Sequence, residues 1–487
     1  MAEYQYKPTR EKVKLVASTG DITTAATHSL KNENNSTLKG YFESAQWTAD
    51  GTTLLTYSST NLISGYLVPE DLLSPHDEPL TLKPQAQIQL PEASNVLAGA
   101  PYFSLAEPWT QQILASPTDH PIQLFSLAPP SSPSASPIIA SYPFTKARSE
   151  TILTATSLLW SSPGTHFIAG GRSLLARFDV HRSGEEPMLR IRTIPSERHI
   201  SKGNGVGMRG TVSALGAQPT SAADQSGAGL IAAGTWTRWL GLYDFAQADA
   251  CVATWSIAAA VRDDTSRLPV AAHDDKADDT ESEGGKFGPG IGGDGITQTV
   301  WSPCGRYLVI AERKSRGALI YDVRVTGRLL GYTTGRDALG NQRIACDMFA
   351  SIEGSEGFEI WSGSSSGAVR VWEGVGSREG PHEPSWEWSA HRSTVGSTCM
   401  HPSGTVVATC AGSWEYPNEN FEEDMSEGGI ESDSSVTSDE SGSDSKRSYR
   451  EPSWMRRRNR ESSLKIWSTT SLQNDLSQEQ ESERCEK

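Results

Sequence analysis

Residues Asn341 to Glu373 read NQRIACDMFASIEGSEGFEIWSGSSSGAVRVWE. Ile344 to Phe349 is a short apolar-rich run. The turn-prone Ser-Ile-Glu-Gly-Ser-Glu-Gly follows, then Phe358 to Gly363, the polar turn Ser364-Ser365-Ser366-Gly367, and Ala368 to Trp372. Short runs bounded by Gly/Ser turns have the form of antiparallel strands. A unit of three or four such strands cannot bury its own faces, so it predicts neighbours of the same kind.

Those neighbours are present. Gln46-Trp47-Thr48-Ala49-Asp50-Gly51 matches Val300-Trp301-Ser302-Pro303-Cys304-Gly305 and Met400-His401-Pro402-Ser403-Gly404, with a weaker copy at Trp160-Ser161-Ser162-Pro163-Gly164. In each, a strand ends at a Pro/Asp-Gly type of turn and a second apolar strand follows. Closing strands recur at Ile63 to Leu67, Ile122 to Leu127, Leu174 to Val180, Leu240 to Phe245, Ala318 to Val323, Ala368 to Trp372 and Leu464 to Trp467. The Val-Arg-Val-Trp-Glu ending of the sixth is a variant of the Trp-Asp ending of a propeller-blade strand. Their spacing exceeds the usual ~40–45 residues per blade only where polar insertions intervene. Seven blades close a ring and leave few unpaired sheet edges. The predicted fold is therefore all-β, a seven-bladed WD-repeat β-propeller with acidic inserts.

Composition agrees. Hydrophobic residues make up 36% of the 487, and 44 Gly with 27 Pro supply the turns. No apolar run approaches the ~20 residues of a membrane span, and the N-terminal MAEYQYKPTREKVKL lacks a signal-peptide core. Cys251, Cys304, Cys346, Cys399, Cys410 and Cys485 are scattered without a CxxC pair, which favours reduced, mostly buried thiols over disulfides or metal ligands. The expected compartment is the nucleus or the cytosol. The net charge of −16 is concentrated. Residues 263–283 hold eight acids and two bases, and residues 419–444 hold ten acids and no base, so the remainder is neutral.

Along the chain, residues 1–40 form an N-terminal segment whose strand 13–18 is expected to latch the last blade. The propeller spans 41–470, with disordered inserts at about 128–150, 263–292 and 415–460, and 471–487 is a polar tail. The first of these inserts carries the Pro/Ser-rich run APPSSPSASP. Ser432 to Ser445 has the composition of an acidophilic-kinase substrate, or of a solvating spacer.

Asn341-Gln342-Arg343-Ile344, Gly363 to Val369, Gly234-Thr235-Trp236 through Leu240-Gly241-Leu242-Tyr243, and Gln46 to Gly51 together resemble the telomerase Cajal body protein family, in a fungal-type or lower-eukaryote form. That resemblance covers about 41–470 and is looser in blades 2 and 3. It implies a WD-repeat scaffold that binds box H/ACA small Cajal-body RNAs and telomerase RNA, with ribonucleoprotein proteins as further partners. Relatives associated with pre-mRNA splicing keep the RNA client open.

The residues supply their own, weaker case. Trp236-Thr237-Arg238-Trp239 puts two indoles and a guanidinium in one turn, which can stack unpaired bases and hold a phosphate. The plainer alternative is a Trp packed between blades and an Arg in solvent. Asn341 and Gln342 can read base edges and Arg343 can clamp phosphate, or all three can serve a blade-to-blade turn. Arg456, Arg457, Arg458 and Arg460 form a basic cluster suited to nuclear localisation or phosphate tracking, or a solvated loop that offsets the acids before it.

Catalysis finds no support. Gly203-Asn204-Gly205-Val206-Gly207 lacks the strand–loop–helix setting and the Gly-Lys-Ser/Thr of a nucleotide loop. The histidines show no paired metal-ligand spacing, and no cofactor or small-molecule substrate is implied. Asp179, Asp244 and Asp322 end closing strands, where an Asp holds a turn. A second class of function comes from Tyr321-Asp322-Val323-Arg324, which resembles the Trp-Asp-x-Arg box of cullin–RING ubiquitin ligase substrate receptors. Tyr replaces Trp there, and Asp322 in a turn with Arg324 on the surface explains the residues equally.

Overall fold

The computed structural model describes residues 13–22, 40–128, 136–194, 207–219, 229–245, 250–258, 291–350, 357–413 and 461–469. Their strands form seven sheets, antiparallel within each blade and arranged as the blades of a propeller. Blade 1 is Phe42–Trp47, Thr53–Ser58, Leu62–Leu67 and Pro84–Gln89; blade 2 is Ser94–Gly99, Gln112–Pro117, Ile122–Ser126 and Ile138–Tyr142. Blade 3 is Ser157–Leu159, His166–Gly171, Leu174–Asp179 and Leu189–Arg192; blade 4 is Val212–Ala217, Ile231–Thr235, Trp239–Asp244 and Ala250–Ser256. Blade 5 is Gly295–Trp301, Tyr307–Arg313, Ala318–Asp322 and Leu329–Thr333; blade 6 is Cys346–Ala350, Phe358–Gly363, Ala368–Val375 and Trp386–Ser389. Blade 7 is Val395–Met400, Val406–Ala411 and Ser463–Ser468, completed by Lys14–Ser18 from the other end of the chain.

Burial explains which strands the sequence announces. Second strands lie between neighbouring blades and are covered on both faces, so Thr53–Ser58 and Val406–Ala411 are buried at every position. Their sequences, TLLTYS and VVATCA, carry no charged residue. Fourth strands face solvent on one side, and Pro84–Gln89 is mostly exposed. The recurring "closing" strands are accordingly the third of four, not the last.

This corrects the boundary of one insert. Residues 138–142, placed by composition in a disordered stretch at 128–150, form the outer strand of blade 2, paired with Ile122–Ser126. Tyr142 anchors it. Its ring is fully buried against Phe167 (5.0 Å between centroids), and its hydroxyl donates to the Val180 carbonyl at 2.6 Å. The stretch assigned to 263–292 ends early as well, because Ile291 packs on the blade 4–blade 5 core. Residues 415–460 and the tail 471–487 lie outside the described residues.

Two copies of the repeated turn motif share a job, whereas Trp160 bonds the Gly164 carbonyl within its own turn. Trp47, ending the inner strand of blade 1, donates its indole N–H to the Cys399 carbonyl of blade 7 at 3.1 Å. Trp301, in the same place in blade 5, donates to the Gly216 carbonyl of blade 4 at 3.0 Å. Each indole therefore ties its blade to the preceding one while burying a large apolar ring. Between blades 6 and 7, Trp361, Trp386, Trp388 and Trp467 form a continuous ring cluster with centroid separations of 5.2 to 6.0 Å.

Ring closure joins the two ends of the described chain. Leu15 lies opposite Trp467 and Ser18 opposite Lys465, in antiparallel register. The outer edges of two blades gain a further strand each. Leu80–Thr81, from blade 1, pairs in parallel with Lys14–Ser18, and Gly380–His382, from blade 6, pairs in parallel with Leu329–Thr333. Covering an edge satisfies its backbone donors and removes a template for aggregation. Of the described cysteines, Cys346, Cys399 and Cys410 are buried and Cys251 and Cys304 exposed, and all five are free.

Candidate nucleic-acid interface

Register places the predicted residues on one face. The start of each inner strand lies beside the end of the second strand: Val212 opposite Thr235 in blade 4, Gly295 opposite Arg313 in blade 5, Cys346 opposite Ser362 in blade 6. Connections into each blade and turns between second and third strands thus share one face, here called upper. The Trp236–Arg238 turn and Asn341–Arg343, which precede Trp239–Asp244 and Cys346–Ala350, both open on it.

The Trp236 turn is held by the segment that leads into blade 4. The Trp236 N–H donates to the Thr211 carbonyl at 3.1 Å, and the Thr237 hydroxyl donates to the Arg209 carbonyl at 2.7 Å. Arg172, in the matching turn of blade 3, bridges to the same Thr211. On the other side the Trp236 backbone lies so close to Gly295 that a Cβ there would sit 2.5 Å from its carbonyl oxygen, which is why glycine starts blade 5. Trp236 is 41% exposed. The turn that carries this exposed indole is thereby fixed beside the segment 209–211, which Arg172 flanks on its far side. Sequence reading missed Arg172 and Arg209. The signal available was the equivalence of the turn Gly171-Arg172-Ser173 to the turn at Trp236.

Arg238 has a different place from the one expected. It is buried, with a left-handed backbone (φ 64°), and its guanidinium forms a two-pronged ion pair with Glu312 of blade 5, at 2.6 and 3.1 Å. The second Glu312 oxygen also accepts the Gly293 N–H at 3.1 Å. A paired, desolvated guanidinium has no free geometry for a phosphate, so Arg238 is a tie between blades 4 and 5. Trp239 is half-buried, packed against the blade 3–blade 4 core rather than presented to a ligand. The polar tie continues round the ring. Arg336, fully buried, donates to the Glu312 carbonyl (3.0 Å), the Ser315 hydroxyl (2.7 Å) and the Ile344 carbonyl (2.6 Å), linking blades 5 and 6. Burial lowers its pKa, and these acceptors offset the desolvation.

Asn341, Gln342 and Arg343 divide. Asn341 is exposed. Gln342 donates to the Gly412 carbonyl of blade 7 at 2.7 Å, which is the blade-to-blade role. Arg343 is half-buried and reaches Asn95 of blade 2 across the central channel. Burial lowers its pKa, opposed by the attraction of Glu43 of blade 1; burial in turn raises Glu43. Arg343 therefore lines the channel mouth and does not stand on the open surface.

The carboxylates of this sector are largely neutralised. Lys314 pairs with Asp294 at 3.0 Å, and Glu312 is held by Arg238. Arg172 and Arg316 are exposed and Arg209 half-buried, and none makes an ion pair among the described residues. The sector over blades 3 to 5 is cationic around one exposed indole, a combination suited to phosphate and base stacking.

Blade 7 contains a network that sequence reading did not assemble. His391 is buried; its Nδ1 lies 3.2 Å from Glu461 and 3.0 Å from the Ser463 hydroxyl, and its Nε2 lies 2.8 Å from the Thr409 hydroxyl. Trp467 donates to that same hydroxyl at 2.9 Å. Burial pushes His391 down. For Glu461, burial alone would raise the carboxyl, but hydrogen bonds from His391, Lys465, Ser463 and the Arg392 N–H hold it well below the usual carboxylate range. The chain leaves the described structure at Ser413 and returns at Glu461 on this upper face. Glu461 cannot be matched to His391 by spacing for that reason.

The remaining predicted residues fall elsewhere. Arg456, Arg457, Arg458 and Arg460 lie outside the described residues, as does Gly203 to Val206. Asp322 accepts Arg306 at 3.0 Å and both the backbone and the guanidinium of Arg324, so it is occupied within its own turn on the opposite face. Asp179 likewise holds a turn, accepting the His181 N–H at 2.9 Å.

No protein-family model matches the chain. Among curated proteins it is 24% identical over 382 residues to Telomerase Cajal body protein 1 of Bos taurus, covering 78% of this chain and 59% of that protein. It is 24% identical over 382 residues to the Homo sapiens protein of the same name (78% and 58%), and 23% identical over 383 residues to that of Mus musculus (78% and 60%). The resemblance read from the sequence is thus supported at the family level. The chain spans about three fifths of the length of these relatives.

Proposed function

We propose that this chain is a non-catalytic WD-repeat scaffold that binds RNA on its upper face, as part of a nuclear ribonucleoprotein of telomerase or small Cajal-body RNA type. The observation that carries this reading is Trp236, exposed on a turn bonded to the segment of Arg209 and Thr211, with Arg172 bridged to that same segment and with Asp294 and Glu312 paired. The RNA class and the nuclear site rest on the similarity to relatives named for telomerase and the Cajal body. Ribonucleoprotein proteins are the expected further partners. Trp236 stacks a base of a single-stranded or looped element, and the arginines contact flanking phosphates. The upper face, not Arg238 or Trp239 within it, is the unit of binding.

The test is crosslinking of the protein in its own cells, with sequencing of the attached RNA, beside a Trp236→Ala, Arg209→Ala double variant. Enrichment of small nuclear RNAs, lost in the variant at unchanged melting temperature, supports the proposal. Equal enrichment in both proteins, or none in either, contradicts it.

A further inference from the structure

The opposite, lower face carries the most exposed large apolar side chain among those described as exposed. Trp109 is 68% exposed, in the connection between the first two strands of blade 2, and Leu105 beside it is 40% exposed. This connection is stitched by its own polar groups. Thr110, 2% exposed, accepts the Ser104 N–H at 2.9 Å and donates to the Glu107 carbonyl at 2.7 Å. Gln111 donates to the Leu105 carbonyl at 3.0 Å, and Gln112 donates to the Trp109 carbonyl at 2.8 Å. Tyr102 stacks on the indole at 6.4 Å, with 28° between the rings. The Trp109 ring is therefore presented by an ordered loop and backed by a second aromatic.

Its electrostatic setting is the reverse of that around Trp236. Residues 100–112 contain no Lys or Arg and one acid, the exposed Glu107. Asp50 of blade 1 reaches the same loop, accepting the Leu105 N–H at 2.8 Å. Hydrogen bonds from Thr48, Thr52 and Leu105 outweigh burial and hold its carboxyl below the usual range, so it stays ionised. A nucleic-acid strand approaching Trp109 would meet carboxylates where it needs cations. A guanidinium meets an exposed indole face and nearby negative charge, the arrangement that favours cation–π stacking.

We propose that the lower face of blade 2, centred on Trp109 with Glu107 and Asp50, is a docking site for an arginine-bearing basic protein segment. The two faces of the ring then take ligands of opposite charge, RNA above and a basic polypeptide below. This inference does not depend on the RNA reading, because it concerns different residues on a different face.

The probe is a synthetic peptide of alternating arginine and glycine, titrated against the full chain by calorimetry. The site predicts saturable binding that Trp109→Ala weakens at least about fivefold and Glu107→Gln weakens less. The Arg172→Ala, Arg209→Ala variant binds the peptide unchanged, which separates this test from that of the upper face. A lysine–glycine peptide binds more weakly, since an ammonium stacks poorly. Melting curves of Trp109→Ala should overlay those of the parent, because the indole is mostly in solvent. Equal peptide affinity in parent and Trp109→Ala overturns the proposal. So does equal affinity for the lysine peptide, or oligouridylate binding that depends on Trp109.

Discussion

The Arg343 guanidinium donates to the Asn95 carbonyl at 3.1 Å, joining two residues 248 positions apart on blades that face each other across the channel. It has one protein acceptor and the field of Glu43, and it sits at the mouth of the upper face. Arg343→Ala should cost about 1 kcal/mol of stability, the worth of one hydrogen bond. RNA binding should fall by about 1–3 kcal/mol, with the salt slope reduced by about one. Denaturant melts and filter binding at several salt concentrations, on one preparation, check both numbers. A large stability loss with intact affinity in the folded fraction would make Arg343 a structural brace alone.

Arg238 should behave in the opposite way. Removing one partner of a buried ion pair strands the other, at about 3–5 kcal/mol. Arg238→Ala should lower the unfolding midpoint sharply, and Arg238→Ala with Glu312→Ala together should cost less than the sum of the two single changes. RNA affinity of the folded fraction stays within error. A stable Arg238→Ala protein that has lost RNA binding would reverse this assignment.

Glu461 gives a pH signature. Its folded pKa lies below the ordinary 4.5, so its stabilisation is complete above about pH 4.5 and is lost as pH falls below that value. Glu461→Gln should cost about 2–3 kcal/mol at pH 7, from weakened hydrogen bonds to a charged group. The difference in melting temperature from the parent should shrink between pH 4.5 and 3. A difference that is constant with pH would show that charge at Glu461 contributes nothing.

Deleting residues 1–19 removes the strand Lys14–Ser18 and bares the edge of Ser463–Ser468. Backbone donors lose their partners and Ala17, fully buried, loses its site. The truncated chain should aggregate or melt markedly lower in light scattering and calorimetry. Melting like the full chain would remove any stabilising role for this closure.

The fold was legible where both faces of a strand are covered. The seven third strands and the turns at Trp47 and Trp301 carry runs of apolar residues whose period survives insertions. Outer strands such as Pro84–Gln89 are exposed on one side and read as loop, and Ile138–Tyr142 was masked by the Pro/Ser run before it. Leu80–Thr81 and Gly380–His382 are too short to signal a strand at all. The interface was legible as turns but not as partners. Trp236 stood out because an indole in a Thr/Arg turn is unusual, yet whether Arg238 faces solvent depends on Glu312, 74 residues later. Arg172 meets Thr211, and Arg209 meets Thr237, only through blade packing. His391 and Glu461 are separated by the long stretch after Ser413, so no spacing rule unites them.

Ultraviolet crosslinking of bound RNA, followed by identification of the crosslinked peptides, tests the central claim most directly, because it reports the face without any mutation. Binding on the upper face predicts crosslinks in the peptides holding Arg209, Trp236 and Arg343, and none in residues 100–112. Crosslinks concentrated at Trp109 and its neighbours on the lower face, with none at Trp236, would contradict it.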